Sequence, residues 1–226
     1  MSKPMDIDYA SITELDLSCK QLDVLPDLSM YINLEILNCS VNKLTTLDNL
    51  PLNLKILNCN NNQLTTLDNL PASLLELYCR SNRLTSLDNL PFNLESLNCS
   101  VNKLTLLDNL PHGLKLLYCY NNQITSLDNL PSSLLELDCS VNKLTLLDNL
   151  PPNLNLKILN CNYNQLKSLD NLSQSLEILY CEQNQLTSLD YLPSSLKELS
   201  CGCNPFIYDF EPTLENIREY NAGRMM

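Results

Sequence analysis

The chain has 226 residues, 44% of them hydrophobic, with three glycines, no tryptophan and a formal net charge of −12 from 26 acids against 14 bases. A collagen-like or disordered chain is excluded by that composition. The acidic balance argues against nucleic acid, which needs clustered Lys and Arg, and against an anionic membrane surface; its plain reading is solubility through self-repulsion.

Residues 1–11 are polar and irregular and read as a short leader or partial cap, with no apolar run of the signal-peptide kind. No later stretch is long and apolar enough to suggest a membrane span. Ile12 to Asn33 is a degenerate, longer unit. From Leu34 a strict twenty-residue unit takes over, plainest at 54–73 as LKILNCNNNQLTTLDNLPAS. It restarts at Leu74, Leu94, Leu114 and Leu134 and, after a two-residue insertion around Pro152 to Asn155, at Leu156, Leu176 and Leu196. A fixed period of this length means stacked repeats, because one unit cannot bury a core and only stacking closes it. The repeat domain is expected at 12–206, nine repeats and a truncated tenth, followed by a cap at 207–226.

Counting the opening leucine as position 1, apolar residues fill positions 1, 4, 6, 11, 14 and 17; in one unit these are Leu54, Leu57, Cys59, Leu64, Leu67 and Leu70. The alternation from position 4 to position 6 predicts a half-buried strand, and repeat-to-repeat adjacency makes the strands parallel. Ten strands at a spacing of about 4.8 Å give a sheet roughly 45 Å long. The return half, L-T-x-L-D-N-L-P, leaves no room for a helix, so extended or polyproline-like segments with tight turns are expected on the convex side. Proline at position 18 has no N–H to satisfy and stiffens this path. The inserted residues should bulge there and leave the strand register intact. Beyond Asn204, Leu214, Ile217 and Tyr220 recur at helical spacing. A short helix from Pro212 to Tyr220, with Phe206 and Phe210, should cover the core of the last coil.

Position 9 is asparagine throughout: Asn42, Asn62, Asn82, Asn102, Asn122, Asn142, Asn164 and Asn184, with Asn204 in the truncated unit. Buried amides must be paired, so the column predicts a ladder bonded to the backbone of neighbouring coils, complete except at its terminal members. Nine of the 11 cysteines share position 6, from Cys39 to Cys201. Like neighbours in a column neither form a disulfide framework nor converge tetrahedrally on zinc. They read as small buried hydrophobes in a reducing compartment. The aspartates of position 15 (Asp48, Asp68, Asp88, Asp108, Asp128, Asp148, Asp170 and Asp190) admit two readings. Calcium could bridge stacked carboxylates; the preferred reading is that each caps backbone N–H groups of its own D-N-L turn. No cofactor is expected. His112 is the sole histidine, no nucleophile has a base at a fixed offset, and there is no glycine-rich phosphate loop, so no catalytic residue is assigned.

The string L-x-x-L-x-C-x-x-N-x-L, as in Leu94 to Leu104, resembles the leucine-rich repeat consensus, and the likeness runs over 12–206. The short L-P-containing unit is similar to that of bacterial effectors of this class. The CSVNKLT and CNNNQLT cores, LDNLP and the tail NPFIYDFEPTLENIREYN resemble leucine-rich repeat proteins of giant viruses of the mimivirus group. This resemblance implies a curved solenoid used for protein recognition, viral in origin, acting in the cytoplasm of an amoebal host or carried in the virion. The ubiquitin-ligase domain that can follow the repeats in the bacterial class is not expected after Asn204.

Positions 3, 5 and 7 alternate outward from the strands and should line the concave sheet face. They vary between units where the core positions do not, and that contrast marks the candidate partner-binding face. Its residues are Ile36 and Asn38; Ile56 and Asn58; Glu76, Tyr78 and Arg80; Leu116, Tyr118 and Tyr120; Asp138; Ile158 and Asn160; and Ile178, Tyr180 and Glu182. Tyrosines among isoleucines and amides match the make-up of recognition surfaces. Glu76, Glu136, Asp138, Glu182 and Glu198 outnumber Arg80 on this face, so a bound protein or peptide should be basic. The expected function is a non-enzymatic, monomeric scaffold that binds protein on its concave face. The alternative is a structural protein that self-associates through sheet edges or the convex Asp/Pro face. A third reading, calcium-dependent binding, rests on the aspartate column alone.

Overall fold

In the computed structural model, which describes residues 8–147, 150–151 and 154–224, each repeat forms one short strand at positions 3 to 5. The strands are β1 (Glu14–Asp16), β2 (Ile36–Asn38), β3 (Ile56–Asn58), β4 (Glu76–Tyr78), β5 (Ser96–Asn98), β6 (Leu116–Tyr118), β7 (Glu136–Asp138), β8 (Ile158–Asn160), β9 (Ile178–Tyr180) and β10 (Glu198–Ser200). They pair in chain order into one ten-stranded parallel sheet. Pairing is residue for residue, with Ile36 opposite Ile56 and Asn38 opposite Asn58. The insertion leaves this register intact, since Glu136 still opposes Ile158. Pro152 and Asn153 lie outside the described residues. Leu154 is buried and closes a turn by donating its N–H to Pro151 O (3.0 Å), so the two added residues enter between that turn and β8.

The strands are shorter than the alternation predicts, ending one residue before the cysteine. Coil-to-coil bonding continues past them, from Cys39 N–H to Asn58 O (2.8 Å) and from Val41 N–H to Asn60 O (2.9 Å). Position 8 then adopts a left-handed conformation in every coil, from Cys19 (φ 57) through Val41 (φ 56) and Asn61 (φ 55) to Cys203 (φ 56). That bend takes the chain off the sheet. None of these residues is glycine, and a β-branched valine at positive φ is strained.

Inward positions follow the sequence closely. Leu54, Leu57, Cys59 and Leu64 are fully buried, and the same positions recur along one continuous core. At Asn122, Nδ2 donates to Cys99 O (3.1 Å) in the preceding coil and to Cys119 O (3.0 Å) in its own. Its Oδ1 accepts the N–H of Leu104 (3.0 Å). The same pattern holds at Asn62 and Asn204. The ladder has no unpaired end among the described residues, contrary to expectation. Each amide reaches back to the coil before it, so Asn42 is served by the degenerate first unit, through Leu17 O (2.9 Å) and the N–H of Leu22 (2.9 Å).

On the return side no helix forms within the described coils. Tight turns at position 18 close instead, as where Leu74 N–H donates to Pro71 O (3.1 Å). A second left-handed residue falls at position 16, from Asn49 (φ 59) to Asn129 (φ 63); asparagine tolerates that conformation.

Both ends carry more structure than the sequence suggests. Residues 9–11 are not irregular: Asp8 Oδ1 accepts the N–H of Ala10 (3.2 Å) and caps a 3-10 turn at Tyr9–Ser11. The terminal helix α1 runs from Leu214 to Arg224 rather than from Pro212 to Tyr220. It starts late because Thr213 is the cap, its hydroxyl accepting the N–H of Asn216 (3.2 Å). It continues because Arg224 is held by Asp190 (3.3 Å) and by the Tyr220 ring. Ile217 is buried against the last coil, Arg218 donates to Leu196 O (2.8 Å), and Phe206, Tyr208 and Phe210 stack beside it. The described helix is neither long nor apolar enough to cross a membrane.

Two stability measurements check this account. Asn122→Ala leaves the buried N–H of Leu104 unpaired and takes one of two amide donors from each of Cys99 O and Cys119 O, which keep Asn102 and Asn142; it should cost about 2 kcal/mol, and a loss under about 1 kcal/mol in a denaturant titration contradicts the ladder. Val41→Asn relieves a strained left-handed valine at a half-exposed site and should stabilise by about 1 kcal/mol. An unchanged or lower melting temperature would show that position 8 carries no strain.

Candidate functional site

Along most strands, positions 3 and 5 are half-exposed around a buried position 4, so the outward face carries the residues the alternation assigns to it. Position 7 stands on the extension beyond each strand. Its serines are not exposed: Ser40, Ser100 and Ser140 are buried, Ser100 completely.

At position 5 the short polar residues are partly engaged in the fold. Oδ1 of Asn38 accepts the N–H of Ser40 (3.1 Å), that of Asn58 the N–H of Asn60 (3.1 Å), and that of Asn160 the N–H of Asn162 (3.2 Å). Asp138 accepts both the N–H (3.0 Å) and the hydroxyl (2.6 Å) of Ser140. Only the remaining polar atoms of these side chains are available to a ligand. Tyrosine cannot make this local turn. Beside Tyr78 and Tyr180 an asparagine at position 7 of the preceding coil substitutes: Asn60 accepts the N–H of Arg80 (2.7 Å) and Asn162 that of Glu182 (2.6 Å). Before Tyr118 that place is held by Ser100. Its hydroxyl is the one buried side-chain polar atom among the described residues with no hydrogen-bond partner.

The burial of Ser100 has a visible cause. Arg80 and Tyr120 stand at position 7 on either side of it and meet above it, the guanidinium carbon 5.5 Å from the ring centroid. Ser96, four residues earlier on the same face, is buried as well. Tyr78 donates its hydroxyl to Glu76 Oε2 (2.7 Å) beside this floor, and Tyr118 lies against Glu136 on the other side. The centre of the sheet is thus an arch of long side chains, Glu76, Tyr78, Arg80, Tyr118 and Tyr120, over the small residues of the β5 coil. Leu116 and Asp138 border it on β6 and β7. The other predicted residues fall in two separate zones. Ile36, Asn38, Ile56 and Asn58 share β2 and β3 at one end. Ile158, Asn160, Ile178 and Tyr180 share β8 and β9 at the other, with Glu182 just beyond; there Tyr180 donates to Glu198 (2.7 Å) and Glu182 accepts the hydroxyl of Ser200.

Electrostatics favour the neutral form of the phenols. Burial, and then the hydrogen bond and charge of Glu136, push Tyr118 up to about 12. The Glu76 hydrogen bond raises Tyr78, and that of Glu198 raises Tyr180. Arg80 is held by the Tyr120 ring, so the charge the face offers to a ligand is negative. Ser96 and Ser100 were not singled out as site residues from the sequence, and Glu136 entered only through its charge. The signal that reveals them is a small residue set between large ones down a column rather than along the chain.

Three aspartates of position 15 bond to a hydroxyl rather than to the N–H groups of their own turn. Those at Asp48, Asp88 and Asp190 accept hydroxyls from Thr46 (2.7 Å), Ser86 (2.7 Å) and Ser188 (2.9 Å). The reason is geometric, because residues two apart on an extended segment share a side. Asp148 lies outside the described residues. Among the described residues no group of three or more His, Cys, Asp or Glu is placed to hold a metal ion.

The cysteine column is buried from Cys39 to Cys201, whereas Cys19 and Cys203, at left-handed position 8, are exposed. Several of its thiols point along the stack, as from Cys59 Sγ to Tyr78 O (3.4 Å) and from Cys79 Sγ to Asn98 O (3.3 Å). Burial pushes Cys39 and Cys99 up to about 12 and Cys201 up to about 11. Burial, and then the neighbouring thiols, raise Cys59, Cys79, Cys119 and Cys161 well above the ordinary value.

Ten parallel strands, one per coil, over a leucine core tied by asparagines define a leucine-rich repeat solenoid. Similar solved structures include YopM, a leucine-rich effector protein from Yersinia pestis (32% identity, TM-score 0.72, covering 90% of this chain and 64% of that one). YopM from Yersinia enterocolitica WA-314 matches at 33% identity and a TM-score of 0.64, over 85% of this chain and 51% of that one. The functional domain of InlJ from Listeria monocytogenes, which includes a cysteine ladder, matches at 32% identity and a TM-score of 0.66, over 88% of this chain and 50% of that one. This chain therefore spans less than two thirds of the length of each. No protein-family model and no curated protein matches it.

The buried thiols give a signed pH dependence. Unfolded thiols ionise near 9.0 while the folded column stays neutral towards about 12. Stability should be fully present below pH 9.0 and fall as pH rises from there towards the folded values, because the unfolded state then binds fewer protons. Denaturant midpoints measured through this range should drop steadily, and native protein should label rapidly only at Cys19 and Cys203. A flat alkaline limb, or rapid labelling of the column, contradicts the buried neutral stack.

Proposed function

We propose that the protein is a non-enzymatic scaffold that binds a basic protein segment across the central arch of its sheet face. The observation that carries this is the complete burial of Ser100 beneath Arg80 and Tyr120. Large side chains over a floor of small ones form a preorganised, aromatic and acidic surface, whereas β2 and β3 carry isoleucine and asparagine. Aromatic anchors with few side-chain torsions supply contact area at low entropic cost. Glu76, Glu136 and Asp138 around the tyrosines favour Lys or Arg in the ligand.

The similar structures support a recognition role, since YopM of Yersinia pestis is described as a leucine-rich effector protein. The free buried thiols fit a reducing compartment. With the viral resemblance of the repeat cores and tail, they support action in a host cytoplasm.

The test is a peptide-display selection on immobilised protein. Wild type should enrich Lys- and Arg-rich sequences, and Tyr118→Ala with Tyr120→Ala should lose that enrichment while melting at nearly the same temperature. Ser100 becomes solvated in that variant, which offsets the packing lost. Equal enrichment by the double variant would retire the arch as the binding site.

A further inference from the structure

The face opposite the sheet carries a charge pattern of its own, independent of the arch. Position 10 reads Lys43, Gln63, Arg83, Lys103, Gln123 and Lys143 along successive coils, continues with glutamine, and contains no acid in a chain that has 26. Its four cations are exposed. The ion pairs among the described residues are Lys115–Glu95, Lys197–Glu177 and Arg224–Asp190, so none of the four belongs to one. Five residues further along each coil stands the aspartate of position 15, exposed at Asp48, Asp88 and Asp108. Between the two rows lie short neutral side chains at positions 12 and 13, mostly Thr and Ser. They are interrupted by Leu106 and Leu146, which are 48% and 53% exposed, and by the exposed Lys167.

The two rows do not neutralise each other within one molecule, because five residues of extended chain separate them by about 15 Å. The return face is therefore striped: cationic along one side, anionic along the other, with mostly short neutral side chains between. Both stripes share the coil repeat of about 4.8 Å.

We propose that this face docks onto the same face of a second copy, as a two-fold dimer with the two solenoids parallel. A two-fold axis running along the solenoid between the stripes exchanges them. Lys43, Arg83 and Lys103 of one copy then meet Asp48, Asp88 and Asp108 of the other, and the converse pairs form at the same time. An isologous interface must be self-complementary in this way. The equal rise per coil keeps the stripes in step along their length, and Leu106 and Leu146 add apolar contact between them. The antiparallel arrangement sets cation on cation and is rejected by the same charges. A second copy fits better than a linear polyanion, because the aspartate stripe and the net charge of −12 repel a polyphosphate and are what a second copy's cations require.

The test uses the full chain in sedimentation or light scattering over a concentration series. Wild type should form a dimer that weakens as salt is added. Lys43→Glu with Arg83→Glu and Lys103→Glu sets acid against acid at the three paired coils; Asp48→Lys with Asp88→Lys and Asp108→Lys sets cation against cation at the same three coils. Each variant alone should dissociate at least about tenfold more readily, and an equimolar mixture of the two should regain a dimer, which a folding defect cannot imitate. The milder Lys43→Gln, Arg83→Gln and Lys103→Gln variant uses the residue already present at Gln63 and Gln123 and should weaken the dimer without unfolding. Tyr118→Ala with Tyr120→Ala should leave the dimer intact, which separates this surface from the arch. A wild type that stays monomeric into the high micromolar range overturns the proposal, as does a mixture no more associated than its parts. Monomeric wild type that binds heparin, with binding lost in the acidic variant, overturns it in favour of a polyanion.

Discussion

Beyond the sheet, each coil from Asn42 onward is tied to the one before it by an asparagine amide, buried or half-buried. The asparagine side chain takes a carbonyl from its own coil and a carbonyl and an N–H from its predecessor, as Asn122 does between Cys99, Cys119 and Leu104. Those groups lie where the chain leaves the sheet and no strand partner remains for them. Without these amides each turn would bury one unpaired N–H and one unpaired carbonyl, which accepts from the asparagines of its own coil and of the next, at a cost of about 1–3 kcal/mol apiece. The neighbouring features follow from that junction. Position 8 must turn left-handed to bring the amide inward, and the strand must stop before it. The core at position 6 is narrowed to a cysteine rather than a leucine. The thiol costs little there, being small and neutral, and can make a weak bond along the stack.

A frame this repetitive leaves only the outward positions free to differ, and the polar accounting limits even those. Asn or Asp at position 5 serves the backbone of its own coil, so replacing it with tyrosine orphans an N–H. Tyr78 and Tyr180 are tolerated because Asn60 and Asn162 cover the loss from the preceding coil. Tyr118 has Ser100 in that place, and there the accounting is incomplete, with a buried hydroxyl left unpaired. That deficit coincides with the meeting of Arg80 and Tyr120 above it. Departures from local consistency are expected where a surface is shaped for something other than stability.

The two large faces follow different rules. The sheet face is irregular, with aromatic and acidic side chains gathered at its middle. The return face is periodic, with like residues stacked coil after coil. Irregularity suits a single ligand segment, whereas periodicity suits another object with the same period. The likeness to YopM and InlJ at 32–33% identity extends over most of this chain. A match of this kind speaks to the fold, and each face has to be argued from its own side chains.

The repeat itself, the inward positions and the asparagine and cysteine columns were legible in the sequence, because a residue that must fill the same slot in each coil recurs at the same place in each unit. The left-handed turn at Val41, the hydroxyl partner of Asp48, the cap at Thr213 and the paired first rung at Asn42 were not. Each depends on a local conformation or on a partner in an adjoining unit that the period alone does not specify. The arch is the clearest case. Arg80, Ser100 and Tyr120 are unremarkable neighbours in three separate repeats, and only stacking sets them side by side. Sequence alone determined the frame, since twenty-residue spacing and burial leave one way to close the core. Tertiary structure decided the surface, because its contacts run across the coils and join residues twenty and forty positions apart.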